Sequence, residues 1–481
     1  MLKNKMKSIK LNMFVNLIKT VFTTFFPLIS FKYVSSVLGK SGIGIINFSN
    51  SIIQYFSIIA ALGISTYAIR ECSKVRDNQK QLNTLSCELF TINVVSTIIS
   101  YISLIIVILV IPKIYAYRIV IFIFSISIFC TTLGVEWINI VEEDFWYITV
   151  RTIVLQVVSL LLTFVFVKNP DDYVIYAIIT TLATFFTSVL NWFYCKRYVK
   201  LKIVFTRKLV KHIKPIFIIF SMNVAITIYV TSDITILGFL KGDSEVGAYT
   251  VATKIYSSLK VILASVVSAT IPRLSYVIEK DKEEYLRRLK DVISIVLLLC
   301  IPIIVGVLIL PEFLIRIIST AAYVESKTAL QLLGLAVFPT VFSTIINNNI
   351  LLAQRRESVI FIATCIGSIA NIVLNLILIP LMGMNAAAIT TLFAEFLVFL
   401  IVAFQARNIL LNLNIRLLCS DFLKVILGSL GIILLDKVYF LIIDETYFSS
   451  FIFVFISVIT YFAIEIELKQ SGILFFIRRR K

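Results

Sequence analysis

The chain has 481 residues, of which 59% are hydrophobic and 15% charged, and its formal net charge is +18. A water-soluble domain this apolar could not cover its surface with polar groups, so lipid is the solvent for most of the chain. The polar stretches are too short for a separate soluble catalytic domain. The basic residues lie mostly in short loops between apolar runs, where membrane topology explains them better than nucleic acid does.

Lys3, Lys5, Lys7 and Lys10 precede the first apolar run. That run is too long for a signal peptide and lacks an A-x-A cleavage site, so it is expected to remain as a first helix with its N-terminus inside. Apolar stretches of about 20 residues, enough to cross a bilayer core, then recur along the chain. Spans are expected at 11–36, 43–69, 82–110, 117–137, 147–167, 172–194, 214–240, 246–271, 291–312, 328–352, 357–380, 385–407, 421–442 and 447–466. Lone helices satisfy their own backbone in lipid, and the alternating segments of a membrane barrel are absent. The expected fold class is therefore an all-α polytopic membrane protein of about 14 transmembrane helices.

Loop charge sets the topology. Every second loop is basic: Arg70, Lys74, Arg76 and Lys80; then Lys196 to Lys214; then Arg273 to Lys290; then Arg355 and Arg356; then Arg407 and Arg416. The intervening loops are poorer, as at Lys40, Lys113 and Lys241. This places both termini on the cytoplasmic side.

The chain also repeats itself. A shift of 203 residues lays Gly39 on Gly242, Gly44 on Gly247 and Arg70 on Arg273. A shift of 210 lays ITTL at 179–182 on ITTL at 389–392, Phe186 on Phe396 and Arg197 on Arg407. These matches fall at equivalent places in the topology. They imply two pseudo-symmetric six-helix lobes, 1–200 and 205–410, with two additional helices over 420–468. Both lobes enter the membrane from the same side, and such halves commonly enclose a central cavity.

Intramembrane ionisable residues are the first candidates for function, because each costs roughly 2.5 to 3.5 kcal/mol at the bilayer centre. They are Lys19, Lys32, Asp233, Lys254, Lys260, Glu395, Asp436 and Lys437. Lys19 is near enough to the inner end to snorkel. Lys32 either snorkels or lines a cavity. Lys254 and Lys260 are about 240° apart around a helix, so both cannot face one cavity, and Lys254 is the better placed. Asn47, Asn50 and Gln54 share a face of the second helix and read as a wet wall. Asn371 and Asn375 read as interhelical hydrogen bonding. Asp233 and Glu395 are candidates for ion coupling. Pro27, Pro302 and Pro339 sit inside spans, where proline bends a helix. No G-K-[ST] phosphate loop is present, so transport must be downhill or ion-coupled. His212 is the sole histidine and the seven cysteines have no metal spacing, so no cofactor, no metal and no catalytic residue is expected.

Four segments resemble a known family: YVSSVLGKSGIGIINFSNSIIQYFSIIAALGISTYAIRECSKVRD (33–77), EWINIVEEDFWYITVRTIVLQ (136–156), TSDITILGFLKGDSEVGAYTVATKIY (231–256) and IPLMGMNAAAITTLFAEF (379–396). They are similar to the Wzx-type bacterial oligosaccharide-lipid flippases, in the superfamily that also holds the MATE drug exporters and the lipid II flippase. The second segment departs from the commoner version, having Ile140 and Val141 where a Gln-Gly pair is expected.

The resemblance implies a MATE-like fold in the bacterial cytoplasmic membrane. It implies translocation of an undecaprenyl-diphosphate-linked oligosaccharide, for O-antigen, capsule or a related glycan, from the inner to the outer leaflet by alternating access. Its partners would be the lipid-linked oligosaccharide, membrane lipids and a glycan polymerase, not nucleic acid. Lys32, Asn47, Asn50, Gln54 and Lys254 would contact substrate. The alternatives are a lipid II flippase or a MATE-type cation-coupled drug antiporter. A membrane-embedded glycan polymerase is more remote, since the outer loop at 312–327 offers Glu312, Arg316 and Glu325 and no histidine.

Overall fold

The computed structural model describes residues 9–278, 280–444 and 446–478. These form helices and no strand. The main ones are α1 (Ile9–Ala61), α2 (Ile64–Lys74), α3 (Gln79–Val110), α4 (Arg118–Leu133), α5 (Glu136–Val141), α6 (Phe145–Phe166), α7 (Tyr173–Cys195) and α8 (Val210–Leu240). They continue as α9 (Asp243–Ser268), α10 (Lys282–Ile309), α11 (Lys327–Ile346), α12 (Glu357–Met382), α13 (Met384–Gln405), α14 (Ile415–Ile442), α15 (Tyr447–Glu467) and α16 (Ser471–Arg478). Thirteen described segments are long and apolar enough to cross a membrane. The first contains two helices, because α1 breaks at Gly39, whose φ of 65° lies in the left-handed region open to glycine. Dividing it there gives the fourteen spans expected from hydropathy.

Several boundaries differ from the sequence reading. The expected span 43–69 stops at Ala61, because Leu62 and Gly63 both adopt positive φ, and the chain resumes as α2. The expected span 117–137 stops at Leu133, since Val135 is left-handed and starts the short α5. α9 begins at Asp243 rather than 246. α10 begins at Lys282, where Asp281 caps it by accepting from the Glu284 amide at 2.9 Å. The expected span 328–352 ends in a π turn over Asn347–Leu351. Hydropathy registers the apolar run but not the backbone break inside it.

The chain forms two compact units, 1–250 and 251–481. In the first, α1 packs against α3, α4, α6 and α8, and α4 against α7. One of its apolar clusters gathers Ile64, Tyr67, Leu82, Leu89, Trp137 and Ile216. The glycines of the 203-residue shift meet in this unit. A Cβ on Gly44 would lie 1.9 Å from the carbonyl oxygen of Asp243, and one on Gly247 would lie 1.9 Å from that of Lys40. The shift also pairs Lys40 with Asp243, so the two contacts are reciprocal. Backbone meets backbone there because neither position carries a side chain.

In the second unit α13 packs on α11 and α12, and α10 on α11, α14 and α16. Leu298, Phe313, Val425, Ile432, Phe453 and Tyr461 form an apolar cluster that joins α14 and α15 to α10. All seven cysteines are free thiols.

Candidate functional site

In the first unit the second arm of α1 has two unlike faces. Its inner face is tied to α8: the Thr235 hydroxyl donates to Ser51 Oγ at 3.0 Å and lies 3.0 Å from the Tyr55 hydroxyl. Its other face is open. Between Phe31 and Ala61 the exposed residues of α1 are Lys32, Ser36, Ser41, Asn50 and Gln54, every one polar. Hydrocarbon cannot satisfy an amide or an ammonium, so an exposed polar stripe inside a span belongs to a wet surface. Asn47 stands apart from Asn50 and Gln54: it is half-buried and donates from Nδ2 to its own helix, at the Ile43 carbonyl, 2.8 Å away.

Asp233 is buried on α8 and accepts a hydrogen bond from the Tyr249 hydroxyl at 2.9 Å. Lys19 does not simply snorkel. Its Nζ lies 2.8 Å from Glu136 Oε1, and Arg151 reaches the other oxygen at 3.4 Å. Arg151 is buried and also donates to Asn191, which accepts from Asn139 too. This polar group ties α1 to α5, α6 and α7, at the segment where the sequence departs from the commoner family pattern.

A second buried set lies at the start of α8. His212 Nε2 is 2.9 Å from Glu88 Oε2 and His212 Nδ1 is 2.8 Å from the Tyr67 hydroxyl, while Lys211 approaches the same Glu88 oxygen at 3.3 Å. It floors a recess of about 520 Å³ lined by Lys80, Thr84, Lys208 and Lys211.

In the second unit Lys254 and Lys260 part company, as the helical angle demands. Lys260 Nζ lies 3.9 Å from Glu395 Oε1, and Tyr256 donates to that oxygen at 3.2 Å. Glu395 is thus buried among α9 partners. Lys254 is half-buried and shares a helical face with Thr250 and the exposed Ser257. The 203-residue shift lays Thr250, Thr253 and Ser257 on Asn47, Asn50 and Gln54, so a polar stripe recurs at equivalent positions. Asn371 and Asn375 bond each other at 3.0 Å, and Thr390 of α13 donates to Asn375, the interhelical role expected of them. An apolar crevice of about 320 Å³ lies among Pro302, Gly306, Ile432, Phe453 and Tyr461.

The sequence reading passed over Arg151, Glu88 and Glu465. The rule that selected Lys32, an ionisable residue inside an apolar span, would have found all three.

Over residues 9–278, more than half of its length, the chain matches the sequence pattern of the family described as polysaccharide biosynthesis protein. The chain belongs to that family. This member also matches the MatE pattern over residues 218–377. It is 22% identical over 390 residues, 79% of this chain and 92% of the relative, to an Escherichia coli (strain K12) protein named "Putative O-antigen transporter". It is 34% identical over 169 residues to the "Probable flippase AglR" of Haloferax volcanii, a stretch covering 33% of this chain and 34% of that one. Among solved structures it resembles the lipid II flippase MurJ in an inward closed conformation, with a TM-score of 0.76 and 20% identity over 94% of this chain and 98% of the other. An inward-facing MATE multidrug transporter is similar at a TM-score of 0.63 and 14% identity, over 81% of this chain and 97% of the other. These likenesses establish the fold of this polysaccharide biosynthesis family member as that of the MATE and MurJ transporters, a multi-pass membrane architecture.

Proposed function

We propose that this protein is a flippase that moves an undecaprenyl-diphosphate-linked oligosaccharide across the bacterial cytoplasmic membrane, from the inner to the outer leaflet. The observation that carries this reading is the set of exposed polar residues on the two arms of α1, Lys32 before Gly39 and Asn50 with Gln54 after it, in a chain of the polysaccharide biosynthesis family. A pyrophosphate is anionic and sugars are strongly hydrated, so neither crosses hydrocarbon unaided. An ammonium replaces part of the anion's lost hydration through charge-assisted hydrogen bonds. Amide side chains replace water around sugar hydroxyls.

In this reading Lys32 and Lys254 hold the diphosphate in a cationic central cavity, and Asn50 and Gln54 contact the glycan, while Asn47, turned to the Ile43 carbonyl, stands behind them. The two six-span lobes rock to expose the cavity to each side in turn. Both termini lie in the cytoplasm, and a glycan polymerase takes the product on the far side. Asp233 and Glu395 are the proposed ion-coupling residues. Glu395 is engaged by Lys260 and Tyr256. The likeness to the lipid II flippase fold favours a second reading in which the head group is a sugar-peptide.

Cells lacking the protein should accumulate the lipid-linked glycan on the cytoplasmic face, and the chemical identity of that glycan separates the two readings. Lys32→Ala and Lys254→Ala should each lower transport by tenfold or more, equivalent to the roughly 1.5 to 3 kcal/mol of a hydrogen bond to a charged group. The protein should remain at normal abundance in the membrane. Full transport in both variants ends the assignment of these lysines to the anion.

A further inference from the structure

α14 and α15 form a helix pair at the end of the chain, and Glu465 lies in the last turn of α15. Its relative exposure is 0%, and neither carboxyl oxygen has a hydrogen-bond partner. The carboxyl lies over the backbone of α14 at Gly428, where a Cβ would stand 2.3 Å from Glu465 Oε1 and 3.0 Å from the Tyr461 ring. Glycine is required there because the acid occupies the space of its missing side chain. Four residues earlier on the same helix, Tyr461 donates to the Leu298 carbonyl of α10 at 2.8 Å and forms part of the apolar crevice wall.

Its neighbour Asp421, also buried, does have donors: it accepts from Ser294 Oγ at 2.7 Å, from Ser471 Oγ at 2.9 Å and from the Ser471 amide at 3.1 Å. Lys424 is turned to the Lys469 carbonyl, 3.2 Å away. The charged and titratable groups around Glu465 are thus Asp421 and Lys424 on α14 and Tyr461 on its own helix, with Asp291 of α10 beyond Asp421. An ionised carboxylate without donors is strongly disfavoured in such a place. A metal cation would need several oxygen ligands, and among the described residues no group of three or more His, Cys, Asp or Glu is placed to hold one.

We propose that Glu465 is a proton-binding site of the α14–α15 pair. The residue is a neutral carboxylic acid while the two helices are packed as here. When they part, the carboxyl meets water, the O–H bond breaks, and the proton passes to water as the carboxylate forms. Separation of the pair is thereby linked to pH.

The test uses the full chain purified into lipid nanodiscs. At neutral pH its infrared spectrum should contain the carbonyl stretch of a protonated carboxylic acid, and Glu465→Gln should remove it. Thermal unfolding followed as pH is raised gives a second readout. The folded wild type binds a proton that the unfolded chain releases, so its stability should fall with rising pH relative to E465Q. Gly428→Ala, which leaves the acid intact but fills its slot, should displace the band and reduce the pH dependence. An identical acid band in wild type and E465Q, or parallel stability curves for the two, overturns the proposal. Neither readout involves transport, so failure here leaves the flippase reading untouched.

Discussion

α1 and α3 belong to the same unit and are equally apolar on average, yet the stretch from Phe31 to Ala61 of the first and that from Val95 to Val110 of the second expose opposite chemistry. From Val95 to Val110 the exposed residues of α3 are Val95, Ile98, Ile99, Ile102, Ile105, Ile106, Leu109 and Val110, all aliphatic. In α1 between Phe31 and Ala61 they are Lys32, Ser36, Ser41, Asn50 and Gln54, all polar. Mean hydropathy cannot separate two such helices, because it averages the face that is hidden with the face that is not. The difference separates a span whose exposed side chains suit hydrocarbon from one whose exposed side chains suit water, and it is the basis for proposing α1 as a wall of the transport path.

The comparison can be broken most decisively by moving a charge from one helix to the other. Ile102→Lys should destabilise membrane insertion by roughly 3 kcal/mol, the penalty of a lysine at a span centre. Gln54→Lys should be tolerated at close to wild-type abundance. Equal losses of membrane-inserted protein in the two variants would mean that both faces meet lipid. A smaller effect is expected from the double change Asn50→Leu with Gln54→Leu: transport should fall several-fold while the unfolding temperature in nanodiscs holds or rises. Unimpaired transport would reduce the α1 stripe to a passive surface. The smallest effect sharpens the contrast with polar residues that are buried. Thr390→Val removes the donor to Asn375 and should cost only about 0.6 kcal/mol of stability, the average for such bonds in membranes. Transport should be unaffected, and a transport defect would move that hydrogen-bonded trio into the working machinery.

The repeat was legible in the sequence at a few residues. Gly44 and Gly247 stood out through the 203-residue shift because each must lack a side chain, and their reciprocal contact supplies the steric reason. The partners of the charged residues were not legible. Lys19 and Glu136 are 117 positions apart and meet at 2.8 Å. Lys260 meets Glu395 across 135 positions, and no short-range pattern relates either pair. The broken helix ends at Leu62 and Val135 were also hidden, because positive φ at a non-glycine residue is imposed by the packing around it.

The number of spans, the alternation of basic loops and the internal repeat follow from the sequence alone, because each is a sum or spacing over neighbouring residues that lipid and water read locally. Which face of a span a neighbouring helix covers, which lysine meets a carboxylate and which acid is left without a donor were decided only by the tertiary structure. Those properties depend on distances between helices that are remote in sequence, and the energy of a buried charge is set by whatever stands a few ångströms away.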